Sequence, residues 1–536
     1  MSAGLRSRGC QTAGVVLAFL LVAALNGQSD GLWFQGDAPR HALNGLFWWD
    51  LLKALPRDPV EFAVRYYARY PVIAPVTYPP LFYVLEGLAF AVFGPAPHAA
   101  RFVVLLFACM AGLYTMAWTR RWIGPIAGWA GAFLAFIPGI VLWSNTVMLN
   151  VPATALGLAS MYHFRRWLET ARVKPLVLTA LLLTADLLTY YPSASVLSIL
   201  AVWALFRVRD LRFDRRLLWI AAAALVAFVP FVAVLFLAPV HTSRHVPTIA
   251  FLTSMTTWTY YWYMLPGVIG WPALTLGLAG CAAGVAIARW RTEAAYVALW
   301  IAALIASLSL LPARDPRYIL LVAPAFVIAA AIGIEAAIPY LPALRPLWQV
   351  AVLAVGLAGG VWSAARMAVP QVSGFREVAE YLQQRAPADA VLYDGNYDGL
   401  FGFYVRVLDP HFDRRLAVAD KSLYSYGPTS TFQWSQTSSV TSTDDVVNAL
   451  RSRLGCRWVA IEVVSRPSSA LGSRLLRQAV ARAEFELVRS FPIGGAGERR
   501  IDLYRMAGDV DAVAAVDLTF PSLSNREFRH IVPITR

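Results

Sequence analysis

Runs of roughly 20 apolar residues follow one another along this chain until about residue 366, and no other feature limits the fold as strongly. Each run suffices for a helix across the ~30 Å hydrocarbon core of a bilayer. Of 536 residues, 58% are hydrophobic and only 15% charged, and the mean hydropathy is +0.55; a soluble globular domain carries about 25% charged residues. The expected fold is therefore an α-helical polytopic membrane protein. Residues 1–366 form its transmembrane domain, and residues 367–536, where charge and turn residues return, form a second domain.

A net charge of +14 raises the question of nucleic acid. Its distribution answers otherwise. Residues 367–536 hold 20 Lys and Arg against 19 Asp and Glu, whereas residues 1–366 hold 26 against 13. A basic excess confined to the membrane part is what the positive-inside rule produces, so no nucleic-acid partner is expected. Four cysteines, Cys10, Cys109, Cys281 and Cys456, are scattered without disulfide or metal spacing.

The first span, about residues 10 to 28, follows Arg6 and Arg8 and lacks a small-x-small cleavage site, which reads as a retained signal anchor. It delivers a long first outer loop, residues 29–98. Within that loop the run 79–94 is short, opens with Pro79-Pro80 and carries Glu86, so it is placed in the interface or as a re-entrant segment rather than across the membrane. With the first span, the remaining runs, among them 126–145, 217–238 and 265–288, then give about eleven spans. Sixteen Lys and Arg fall inside, and the short outer loops hold Arg244, Arg314 and Arg317. If 79–94 crossed instead, every later helix would invert and the bias would point the wrong way. This parity puts residues 367–536 outside the cytoplasm.

Candidate chemistry concentrates in the first outer loop. Asp37 and His41 stand four apart, so on a helix they share a face and could ligate one divalent cation such as Mg, Mn or Zn; Arg40 beside them suits a phosphate or carboxylate. The plainer alternative is an amphipathic helix capped by Asp37 before Pro39. The aromatic run Phe47 to Tyr70 suits the headgroup region as a platform facing membrane lipid. Carboxylates at membrane depth default to function, which ranks Glu86 above Asp186 and Asp186 above Glu335. Arg314 and Arg317 lie on the face otherwise poor in basic residues, where a guanidinium would anchor phosphate; the alternative is an Arg-Asp turn.

Residues 367–536 read as α/β. Helical patterns near 374–385, 442–454 and 470–483 alternate with strand-like runs at 390–394, 457–463, 486–491 and 501–505. Asp394-Gly395-Asn396 is a strand-end loop of a kind that can bind ligands, though most such loops are turns. No catalytic motif is evident there.

Several stretches together resemble a known family. They are Gly36-Asp37-Ala38-Pro39-Arg40-His41, Tyr78-Pro79-Pro80-Leu81-Phe82-Tyr83, Arg101 at the next span, Val147-Met148-Leu149-Asn150-Val151-Pro152 and Pro316-Arg317-Tyr318. Their order and spacing resemble the GT-C class of polyprenyl-phosphate-sugar-dependent glycosyltransferases, such as bacterial aminoarabinose lipid A transferases and protein O-mannosyltransferases. The resemblance implies a bacterial plasma-membrane enzyme of cell-envelope biosynthesis. It would move a sugar from a polyprenyl-phosphate carrier to a glycan or glycolipid on the outer face, or to a protein acceptor. Asp37 matches the family's first-loop carboxylate, a general base or cation ligand, and Tyr78, Tyr83, Glu86, Arg101 and Asn150 join Arg40, His41, Arg314 and Arg317 as candidate substrate contacts. Three positions depart from the pattern: Asp37-Ala38 replaces an Asp-Glu pair, Asn150 replaces a second-loop acid, and Thr77-Tyr78 replaces Glu-Lys before the Pro. A reading from another class, a lipid flippase or transporter, would use Asp186 and Glu86 along a substrate path.

Overall fold

The computed structural model describes residues 6–26, 37–73, 78–206, 249–312, 314–337, 345–386, 388–428, 434–464, 468–495, 499–519 and 529–533. Gly36, Thr77, Arg244 and the expected span 217–238 lie outside them. Apolar helices occupy the first two thirds. By length and composition, Arg8–Asn26, Pro97–Trp122, Ala288–Ser309 and Pro316–Ala337 are able to cross a membrane, and two bent helix pairs raise the number to as many as six among the described residues. The bends fall within the expected runs 126–145 and 265–288. There, breaks at Ile137 and Gly270 turn the chain by 60° and 115°.

Close packing holds the bundle together. Trp271–Ala286 lies against Val322–Ala337 so tightly that a Cβ added at Gly280 would come within 1.9 Å of the Ala329 carbonyl oxygen. Small residues let helix backbones meet in this way, and dispersion contacts gather along the seam.

Polar contacts sort the helix ends into two groups. At one end Arg120 donates to the Arg6 carbonyl at 2.8 Å and Arg121 to Glu169 at 3.0 Å, while Arg165 pairs with Glu293 beneath the rings of Trp122 and Tyr296. That end collects the arginines. At the opposite end Asn26 donates to the Ala364 carbonyl at 3.3 Å and accepts from Gln371 at 3.3 Å, so the chain leaves the bundle there toward residues 367–536. The helix Leu81–Phe93 belongs to this second end: the Leu81 amide bonds the Leu188 carbonyl at 3.0 Å, and Phe90 stands 6.4 Å from Phe403. Its two ends therefore sit on one side of the bundle.

Beyond residue 366 a five-stranded sheet forms, in the order Leu416–Val418, Ala390–Asp394, Cys456–Val463, Arg499–Met506, Phe485–Ile493. The first three strands are parallel and the last two antiparallel. Helix Asp398–Val407, between the first two strands of the chain, docks on the first-loop helix Asp37–Ala54. Gly399 permits the approach, because a Cβ there would lie 3.2 Å from the Arg40 nitrogen. Ion pairs fasten the contact. Arg406 grips buried Asp50 with two hydrogen bonds of 2.7 and 3.0 Å, Tyr66 donates to the same carboxylate at 2.9 Å, and Tyr70 donates to Asp409 at 2.7 Å.

Candidate active site

Asp37 lies in the first turn of its helix, where the free backbone N–H groups and the helix dipole favour an anion. Across the site, Asp315 caps the short helix Pro316–Leu321 by accepting the Arg317 amide at 3.0 Å. Its other oxygen stands 3.3 Å from Arg317 Nε. Held in this way, Arg317 donates through Nη2 to Asp37 Oδ2 at 2.9 Å. One guanidinium thus lies between two carboxylates. Burial alone raises the Asp37 pKa, but His41, Arg317 and Arg40 outweigh it and hold the carboxyl below its ordinary value. His41 is itself pushed down to about 4 by burial, so at neutral pH it is uncharged and the two guanidiniums carry the effect.

Asn150 opens the helix Asn150–Thr170 and ties two elements to the pair, donating to the Arg317 carbonyl at 3.3 Å and to the Tyr190 hydroxyl at 3.4 Å. Its side-chain oxygen is buried and takes no hydrogen bond among the described residues. A cleft lined by Asn150, Thr154, Tyr190, Ser193, Arg317 and Tyr318 opens beside it. Asp186 is fully buried behind this cleft, accepting from Ser193 at 2.6 Å. On the other flank His41 Nδ1 meets the Tyr83 hydroxyl at 2.7 Å and the His41 ring packs edge-on to Tyr78 at 5.0 Å. Burial and the Asp37 charge keep the Tyr78 hydroxyl protonated.

The structure therefore joins Asp37, Arg317 and Asn150, with His41, Tyr78 and Tyr83 alongside. Other candidates have different surroundings. Arg40 turns from Asp37, and its Nη2 donates to both carboxylate oxygens of Asp398, at 2.9 and 3.0 Å. Arg314 donates to Thr256 O at 3.0 Å and Thr257 Oγ1 at 2.6 Å, with its guanidinium over the Phe251 ring. Arg101 is half-buried near the start of Pro97–Trp122. Glu86 is wholly buried against Gly45, neither carboxyl oxygen taking a hydrogen bond among the described residues. Glu335 approaches Gly124 near the arginine-rich end. Sequence reasoning missed Tyr190 as a wall of the cleft and Asp398 as the partner of Arg40; Asp315 was within its reach, since an Arg-Asp pair at this turn was the alternative to a phosphate anchor.

The donor set around Asp37 does not suit a resident divalent cation. Its carboxylate is engaged by a guanidinium, His41 Nδ1 by a tyrosine hydroxyl, and the second-loop position is the neutral amide Asn150. Among the described residues no three His, Cys, Asp or Glu side chains converge as metal ligands.

No protein-family model matches the sequence, and no curated protein does. Solved structures do. ArnT from Cupriavidus metallidurans in the apo state is similar over 92% of this chain and 97% of that one, with a TM-score of 0.63 and 16% identity. The same protein bound to undecaprenyl phosphate gives 0.62 over 95% and 100%, also at 16% identity. The oligosaccharyltransferase AglB from Archaeoglobus fulgidus, in complex with an inhibitory peptide and a dolichol-phosphate, gives 0.51 over 84% and 69% at 11% identity. At such identities a likeness shows the fold alone, and the fold is the one shared with ArnT and AglB.

Proposed function

We propose that the chain is an integral-membrane glycosyltransferase that moves a sugar from a polyprenyl-phosphate carrier to an acceptor hydroxyl at the outer face of a bacterial plasma membrane. The Asp37–Arg317 pair carries this reading. In the reaction the acceptor oxygen forms a bond to the sugar's anomeric carbon while the bond from that carbon to the phosphate oxygen breaks. The electron pair leaves on the polyprenyl phosphate, and the acceptor proton goes to Asp37. Arg317 serves both ends. In the resting state it holds Asp37 ionised and aimed; as negative charge grows on the leaving phosphate, the guanidinium turns toward it, because paired N–H donors match phosphate oxygens. Losing that partner raises the basicity of Asp37 as the proton arrives.

Asn150 and Tyr190 support the arrangement by bracing the Arg317 backbone and walling the cleft beside it, a place for the phosphate end of the donor. That ArnT binds undecaprenyl phosphate and AglB a dolichol-phosphate supports a lipid-linked donor. The outer-face assignment rests on the grouping of arginines at the opposite end of the bundle. No step here passes through a cation. The acceptor proposed is a glycan or glycolipid, with protein as the second class. The test is transfer from radiolabelled polyprenyl-phosphate sugars in right-side-out and inverted vesicles. Transfer by the intact protein at the outer face, lost in Asp37→Asn, is expected; equal transfer by both would remove Asp37 from the reaction.

A further inference from the structure

A second cleft, of about 170 Å³ and partly open to solvent, lies in residues 367–536 at the carboxyl ends of the three parallel strands. Each strand supplies an acid at or just beyond its end: Asp394, Asp420 and Glu462. Central strand Ala390–Asp394 connects through Asp398–Val407 to a neighbour on one side, while Cys456–Val463 lies on its other side. Crevices where connections part in this way are where open α/β sheets take ligands. The first-loop helix closes the wall with Arg40.

Hydrogen bonds within the cleft satisfy some of these groups and leave others over. Asp394 is complete, accepting from Tyr424 at 2.9 Å and Ser473 at 2.7 Å with Arg477 at 3.3 Å. Glu462 is wholly buried, and its Oε2 accepts from Tyr393 at 3.0 Å and the Asn396 amide at 2.6 Å. Its Oε1 takes no hydrogen bond; the Arg499 guanidinium stands 3.6 Å away. Asp420 takes no hydrogen bond to Oδ1 either, and the buried Nε atoms of Arg40 and Arg477 donate none. The leftovers are thus acceptors and donors lining one cleft. A small anion would meet Asp394 and Asp420, and a bare cation would meet Arg40 and Arg477. Groups that donate and accept at once fit both, and hydroxyls do so.

We propose that this cleft binds an oligosaccharide, whose hydroxyls donate to Asp420 and Glu462 and accept from Arg40 and Arg477. Its role as an acceptor subsite rests on the glycosyltransferase reading, since Arg40 lies three residues beyond Asp37 on the same helix; binding itself does not. Full-length protein in detergent, applied to an array of neutral and amino-bearing oligosaccharides, is expected to be retained. Asp420→Asn should cut retention several-fold, and Asp420→Lys, which fills the cleft with a like charge to Arg40, should abolish it. A melting temperature for Asp420→Asn no lower than that of wild type excludes misfolding as the cause, because that carboxylate Oδ1 has no hydrogen bond to lose. Retention on no oligosaccharide, or equal retention by wild type and Asp420→Lys, overturns the proposal. Asp37→Asn should bind the array as wild type does; binding by a wild-type protein that transfers no sugar would sink the enzyme reading alone and leave the cleft standing.

Discussion

Two charged clefts meet at the first-loop helix, and they treat their carboxylates in opposite ways. At the first, a buried arginine answers Asp37 directly and holds it below the usual carboxylate range. In the sheet-end cleft, burial and the neighbouring Asp398 charge push Asp420 up to about 6, with Lys421 and Arg40 opposing only in part. The first arrangement keeps an anion permanently ready and aimed. The second leaves a carboxylate undercompensated, a stability cost that folded proteins retain where a ligand is to be met.

The widest separation between the clefts should appear in transfer kinetics. Arg317→Ala or Asp37→Asn is expected to lower the rate by about 10²–10⁴-fold, the usual worth of a general base or a charge-stabilising group; Asp420→Asn should leave kcat unchanged and move only the acceptor KM. Next in size is a stability effect at the seam. Arg406→Leu strands Asp50 without its buried partner, which should cost about 3–5 kcal/mol in denaturant unfolding of the solubilised protein. The exposed Arg65–Glu61 pair, by contrast, should cost less than about 0.5 kcal/mol.

A smaller effect has the opposite sign. A carboxyl whose folded pKa lies above its unfolded value binds its proton more tightly when folded. Its drag on stability is therefore absent below pH ~4 and grows as pH rises through about 6. Asp420→Asn should accordingly stabilise the protein by about 1–2 kcal/mol at pH 7, partial exposure of the carboxyl included, with no gain at pH 4. Smallest of all should be the response to chelation. EDTA should change the transfer rate by less than about twofold, because Arg317 occupies the position a cation would take at Asp37.

Local pattern made much of the fold legible. The strands at 390–394, 457–463, 486–491 and 501–505 and the helix at 374–385 fall where their periodicity put them, within a residue or two. Strand Leu416–Val418 escaped because three residues carry no alternation, and helix Asp398–Val407 because its two glycines and aromatic-rich face disguise a helical stripe. At the site, Asp37 stood out because it clusters with Arg40 and His41 after the first apolar run. What it pairs with did not. Arg317 is 280 residues away, and nothing in the string separates it from Arg314, three positions earlier, which the fold sends to the helix Met255–Ile269 instead. Arg40 likewise looked like a phosphate ligand until a carboxylate 358 residues on claimed it. Pairings of that kind depend on which helix ends gather together, and periodicity says nothing about that.

The most direct test of the account is a double-mutant cycle on sugar transfer, comparing wild type, Asp37→Asn, Arg317→Ala and the double variant at saturating donor. If the two side chains form one catalytic unit, the double variant should transfer no more slowly than the weaker single variant, since groups that act together lose their effect together. Losses that multiply, or wild-type transfer by Asp37→Asn, would contradict it.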